Sequence, residues 1–176
     1  NSRALISGDP LRKGIPSSTG GSTGAPLYFY CDRSSLPVRQ ANKLRQMRIA
    51  GIDIGARQLR FWGVDTDLSI RERFLRTLKN YFNNTRLIST FDMSDSRMKK
   101  YAAVEKSFKP DFITGYPSAL ALFSDFCRKN SVHLHEPDAV ITGGETLYPE
   151  QRDLIEEVLS APVFNSYGSR EFADIA

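Results

Sequence analysis

Short β-rich apolar runs alternate with helix-like segments from about Arg57 to the end of this 176-residue chain. That alternation predicts an α/β fold, a mostly parallel sheet with helices on both faces. Two further observations point the same way. The composition is 40% hydrophobic, 25% charged and 11% aromatic, enough apolar material for one sizeable core, which excludes a disordered, collagen-like or coiled-coil chain. Glycine-bearing turns also fall at strand ends, where an open α/β sheet binds its ligands.

In chain order, a Gly/Ser/Thr loop runs into a β-rich segment, Leu27–Tyr30, and then a helix that Ser34 or Ser35 can cap. That helix continues through Leu36, Leu44 and Met47, stops near Gly51, and carries Arg39, Lys43, Arg45 and Arg48 on its outer face. Such a basic face is either solvated or a contact for phosphates or a partner. Strands are expected at Gln58–Val64, Arg86–Thr90, Asp111–Thr114, Ala139–Thr142 and Pro162–Asn165. Helices are expected between them at Leu68–Phe82, Ser94–Phe108, Pro117–Lys129 and Pro149–Leu159. The last opens with Pro in its first turn and repeats Leu154, Ile155, Val158 and Leu159. Right-handed crossovers would lay these helices on the sheet.

Residues 1–100 hold 18 Lys/Arg against 8 Asp/Glu, and residues 101–176 hold 6 against 12, so the net +4 divides into +10 and −6. A basic half suits nucleic acid, an acidic membrane surface or a phosphate-bearing ligand. No stretch approaches the roughly 20 apolar residues of a membrane span, and the start, NSRALISGDP, lacks the apolar centre of a signal peptide. A soluble, cytoplasmic protein is expected. Cys31 and Cys127 are too few for a disulfide framework and too far apart for a zinc knuckle, so both are expected as buried, reduced thiols. The absence of an initiator Met and the end at Asp174-Ile175-Ala176, soon after a Gly-Ser turn, suggest a piece of a longer polypeptide.

Four loops carry the chemistry. Ser17–Pro26, SSTGGSTGAP, combines three glycines with five hydroxyl side chains. Glycines let backbone N–H groups turn toward phosphate oxygens, and hydroxyls add rotating donors; the same composition also suits a flexible linker. No Gly-Lys-Ser/Thr follows and the next segment reads as strand, which excludes a Walker A loop and a dinucleotide fingerprint. The others are Ile141–Glu145 (ITGGE), Asn165–Glu171 (NSYGSRE) and Thr114–Ser118 (TGYPS), each also readable as a plain turn. His133 and His135 alternate like a strand edge and read as ordinary polar residues.

These motifs, in this order and spacing and together with LRFWG and DFITGYPSAL, resemble the adenylate-forming enzymes, and within them the phenylacetate–CoA ligase-like and capsular-polysaccharide CapK-like branch. The resemblance covers nearly the whole chain. It implies that the chain is the core of an N-terminal, nucleotide- and acyl-binding domain over 1–176, without the upstream region and the C-terminal lid. It places Ser18, Thr19, Gly20, Gly21, Ser22, Thr23 and Gly24 around the phosphates of ATP, and Gly143, Gly144 and Glu145 beside the adenine. Tyr167 would stack on or flank the base with Gly168 next to it, and Gly168 and Ser169 would line the acyl pocket. Gly115, Tyr116 and Pro117 would lie near the acid, and Glu171 would hold Mg²⁺, with Thr23 and Glu171 carrying catalysis. Two positions depart from the pattern: Leu27 follows Pro26 where Lys or Thr is usual, and Arg170 precedes Glu171 where Thr is usual.

The implied reaction is attack of a carboxylate on the α-phosphate of ATP, giving an acyl-adenylate and pyrophosphate, followed by transfer to CoA or another acceptor. Its burden is electrostatic, so no protein nucleophile is needed, in keeping with the lack of a nucleophile–base pair. Partners would be a nucleotide and a small carboxylic acid. Two other readings stay open: a nucleic-acid-binding α/β module using the basic half, with Tyr28, Phe29 and Tyr30 as stacking residues, and a non-catalytic interaction protein derived from a ligase.

Overall fold

The computed structural model describes residues 14–18, 27–63, 70–169 and 173–174. The chain forms two compact units, Asn1–Gln46 with Tyr167–Ala176, and Met47–Ser166.

In the first unit, β1 (Ile15–Ser18) pairs antiparallel with β2 (Tyr28–Cys31), and Ser18 faces Tyr28 across the ladder. β2 lies one residue beyond the expected strand. Tyr28 and Tyr30, two apart, are both exposed, and Cys31 is half-buried, which corrects its expected burial. α1 (Ser35–Ile49) begins where Ser34 N–H donates to the Asp32 carboxylate at 2.9 Å and the Ser35 hydroxyl donates to the Asp32 carbonyl at 2.6 Å. It ends at Gly51, whose φ of +77° is open to glycine without strain. Lys43, Arg45 and Arg48 are exposed and Arg39 is half-buried. A hairpin of β8 (Gly168–Ser169) and β9 (Ala173–Asp174) completes the unit.

The second unit is a fully parallel sheet of β3 (Gln58–Trp62), β4 (Thr85–Ser89), β5 (Phe112–Gly115), β6 (Ala139–Gly143) and β7 (Val163–Ser166), in the order β4-β3-β5-β6-β7. Connecting them are α2 (Ile70–Phe82), α3 (Asp95–Phe108), α4 (Pro117–Lys129) and α5 (Pro149–Leu159). Alternation decides which side chains meet which layer. Leu59, Phe61, Ile113 and Val140 join Met98, Tyr101, Leu120, Phe123, Ile155 and Leu159 from α3, α4 and α5 in the main core. On the opposite face a smaller cluster holds Ala50, Ile52, Phe112 and Ala139. β5 starts one residue later than expected, at Phe112, and just before it the Asp111 carboxylate accepts from the Arg57 backbone N–H at 2.7 Å and from Arg57 Nη2 at 2.7 Å. That hydrogen-bonded guanidinium holds the Asp111 carboxyl below the usual range. Residues 132–137 are irregular, so His133 and His135 do not form a strand edge. Among the described residues no helix is long and apolar enough to cross a membrane.

Among the described residues Glu105 is the ionisable group buried in this core with a carboxylate oxygen left unpaired. Its Oε2 accepts from the His135 backbone N–H at 3.1 Å, while Oε1 has no partner. Burial pushes its carboxyl up from 4.5 to about 6, opposed by that hydrogen bond and by Lys106; burial and Glu105 push the free, buried Cys127 thiol to about 12. Because the folded chain holds the Glu105 proton more tightly than the unfolded chain, stability falls as pH rises between about 4.5 and 6. The loss is about 2 kcal/mol. Glu105→Gln should abolish that slope, as measured by urea unfolding at intervals across the window; an unchanged slope would assign it to another group.

Candidate functional site

The chain runs from β3 outward to β4 and then crosses back over β3 to β5, so the connections leaving β3 and β5 diverge. In doubly wound sheets such a divergence opens the ligand crevice at the carboxyl ends of those strands. Here that edge is lined by Trp62 at the end of β3, Gly115-Tyr116-Pro117 at the end of β5, and Gly143-Gly144-Glu145 at the end of β6.

The residues are locked together. The Trp62 and Tyr116 rings stack with centroids 4.2 Å apart and planes inclined by 22°, and the Arg60 guanidinium lies 4.6 Å from the Trp62 ring centroid. A Cβ on Gly144 would come within 2.9 Å of Tyr116 Cε1, and Gly144 has φ +82°. Glycine is required there twice over, for conformation and for the close approach of backbone to ring. Pro117 opens α4 in its first turn, where a missing N–H costs nothing. The next free N–H, that of Ser118, donates to Glu145 Oε2 at 3.2 Å, so the Glu145 carboxylate sits at the positive end of α4 and ties the two loops together.

Gly144→Ala is expected to cost about 1–2 kcal/mol from the left-handed conformation alone. It should also displace Tyr116 from Trp62. Since Trp62 is the single tryptophan, its emission spectrum checks the displacement directly. An unshifted spectrum with full stability would mean that the loop gives way instead.

The structure thus brings together Gly115, Tyr116 and Pro117 with Gly143, Gly144 and Glu145. Of the other expected site residues, Ser18 ends β1, Tyr167 is exposed immediately after β7, and Gly168 and Ser169 form β8. Thr19, Gly20, Gly21, Ser22, Thr23, Gly24 and Glu171 lie outside the described residues. Trp62 was missed as a site residue. The signal was there, a lone tryptophan ending the first strand of the alternating region, but only the strand order sets it opposite Tyr116. Among the described residues no group of three or more His, Cys, Asp or Glu side chains could hold a metal ion.

No protein-family model and no curated protein matches the chain. Solved structures do. A 2-hydroxyisobutyryl-CoA ligase in the postadenylation state, in complex with R3-HIB-AMP, superimposes with a TM-score of 0.65 at 15% identity over 90% of this chain and 33% of its own. A luciferase-like enzyme from the nonluminescent mealworm Zophobas morio gives 0.62 at 16% identity over 100% of this chain and 40% of its own. An ATP-bound RpMatB-BxBclM chimera gives 0.61 at 15% identity over 90% and 29%. The chain therefore has the α/β fold of these enzymes, a parallel sheet flanked by helices, and spans about a third of their length.

Proposed function

We propose that this chain is the nucleotide- and acyl-binding core of an enzyme that activates a carboxylic acid with ATP to an acyl-adenylate and passes the acyl group to CoA or another acceptor. The observation that carries the reading is the joining of the TGYPS and ITGGE loops at the divergence of the sheet, in a fold shared with a ligase holding an acyl-adenylate. In this reading Gly143, Gly144 and Glu145 border the adenine, and Tyr116 with Trp62 forms a flat wall against the acid. A stacked aromatic wall favours a planar or apolar acid, in keeping with a phenylacetate–CoA ligase-like or CapK-like member.

The remaining contacts fall to residues matched by motif. Ser18, Thr19, Gly20, Gly21, Ser22, Thr23 and Gly24 would surround the phosphates; of these Ser18 is described, paired with Tyr28 at the end of β1. Tyr167 would flank the base, with Gly168 and Ser169 toward the acyl group. Glu171 would hold Mg²⁺, which supplies charge neutralisation at the phosphates.

Titration of the chain with ATP and Mg²⁺, followed by calorimetry and by Trp62 emission, tests the proposal. Saturable heat together with an emission change that Tyr116→Ala removes is expected. No heat at millimolar ATP in a folded sample overturns the nucleotide site. The exposed Tyr28 and Tyr30 favour a second reading, single-stranded nucleic-acid binding. Salt-dependent binding to random single-stranded DNA, without ATP binding, would establish it instead.

A further inference from the structure

Phe91 stands in the open on a loop that does not use it for packing. Its ring is 73% exposed shortly after the end of β4, while Met93 of the same loop packs on the main core. The loop is tied down from several sides. The hydroxyl of buried Tyr101 lies 3.1 Å from the Ser89 carbonyl oxygen and 3.0 Å from that of Asp92. The Asp92 carboxylate accepts from the Ser94 backbone N–H at 3.1 Å and from Arg97 Nε at 3.1 Å. The Thr90 N–H donates to the Trp62 carbonyl at 3.2 Å, so β3 and β4 leave the sheet side by side. A single exposed ring on a surface needs no explanation of its own. The place of this one, on a loop already ordered, is what distinguishes it.

That place is the carboxyl edge of the sheet. A Cβ on Gly63, the residue after Trp62, would stand 3.4 Å from Phe91 Cζ and 3.8 Å from Cε2, so the tip of the Phe91 ring reaches the end of β3. Along the edge the order is therefore Phe91 after β4, Trp62 on β3, Tyr116 after β5 and Gly144 after β6. With neighbouring strands about 4.8 Å apart, Tyr116 and Phe91 are set roughly 10 Å from each other.

We propose that Phe91 is a specificity-determining residue of the acid site and meets the apolar end of an arylalkanoic acid longer than phenylacetate. The inference rests on the acyl-adenylate reading for one point, the direction in which the acid runs. In that reading the carboxylate meets the nucleotide, which lies toward β6, so the rest of the acid extends the other way, past Trp62 to β4. Trp62 and Tyr116 can cover a ring held close to the carboxylate. Phe91, two strands beyond Tyr116, is reached by an acid with several carbons between carboxylate and ring, and there it offers an aromatic partner that costs no ordering of the loop.

The test titrates phenylacetate and 4-phenylbutanoate into the 176-residue chain, with and without ATP and Mg²⁺, by calorimetry and by Trp62 emission. 4-Phenylbutanoate, longer by two methylenes, should bind about tenfold more tightly. Phe91→Ala should shrink that preference to about twofold, because the ligand ring loses its partner and part of its burial. The same variant should leave phenylacetate affinity and the unfolding midpoint unchanged, and Phe91→Tyr should keep the preference. Equal weakening of both acids, an undiminished preference in Phe91→Ala, or no binding of either acid at millimolar concentration in a folded sample overturns the proposal. So does a dimer that Phe91→Ala dissociates, which would make a second copy the occupant of the ring. Heat with ATP but no preference that depends on Phe91 discards this inference and leaves the acyl-adenylate reading standing. The preference without any heat from ATP keeps the Phe91 contact and discards the nucleotide site.

Discussion

Phe123→Ala is expected to remove about 3–5 kcal/mol of stability. The ring is fully buried on α4, where it meets Phe61 with centroids 5.0 Å apart. Phe61 is in turn fully buried on β3 and touches Tyr101 edge-on, so the wall of any cavity left by the truncation is held by rings from α3 and the sheet centre. Such a wall collapses poorly, and the cavity adds its own cost to the lost burial. Against a total of about 5–15 kcal/mol for a domain, the loss brings the unit near its unfolding threshold. Urea denaturation measures it, with Leu122→Ala as the internal comparison. That neighbour is 46% exposed, and its substitution should stay within about 1 kcal/mol. Similar effects at the two positions would mean that the core does not lie where α4 meets β3.

Gly115→Ala should cost about 3 kcal/mol, a large effect for a single methyl. Its Cβ would stand 2.8 Å from Phe61 Cβ, 3.1 Å from Leu120 Cγ and 3.1 Å from the Phe61 carbonyl oxygen. None of these can withdraw. Gly115 is paired with Phe61 in the β3–β5 ladder, and Leu120 is buried in the first turns of α4. Relief would have to come from separating β5 from β3, which would carry Tyr116 away from Trp62 and so spoil the candidate site along with the fold. Gly63→Ala is the control, since its Cβ would meet the Phe91 ring at ordinary contact distance, Cζ at 3.4 Å and Cε2 at 3.8 Å. Thermal unfolding and Trp62 emission should change together in Gly115→Ala and in neither respect in Gly63→Ala. Loss of stability with unchanged emission would uncouple the crevice from the ladder.

Much of the fold was legible because its signals are local. The five strands of the parallel sheet and the helices α1 to α5 fall within a residue or two of where periodicity and caps place them, apart from the expected ends at Val64 and Leu68, which lie outside the described residues. Gly51 ends α1, Pro117 and Pro149 open α4 and α5, and the apolar repeat at Ile155 and Leu159 is buried. β1 was not legible: it is four residues long, contains Pro16, and exists only because β2 lies beside it. Glu105 reads from sequence like any acid on a charged helix. Its burial follows from the packing of α3 on the core and of residues 132–137 over it.

The sequence by itself determined the α/β class, the helices α1 to α5 and the five strands of the parallel sheet in order, and the loops that could carry chemistry, because caps, glycine turns and hydrophobic period are written within a few residues of each other. Only the tertiary structure decided that β3 lies between β4 and β5, and with it that Trp62 meets Tyr116, that Gly144 backs onto the same ring, and that Glu145 caps α4. The same holds for α2, whose apolar stripe is plain in the sequence while the direction it faces is not. Strand order and helix orientation arise from contacts between residues far apart in sequence, such as Gln58 with Thr85 and Val140 with Val163, which depend on which buried surfaces fit together and leave no trace in local pattern.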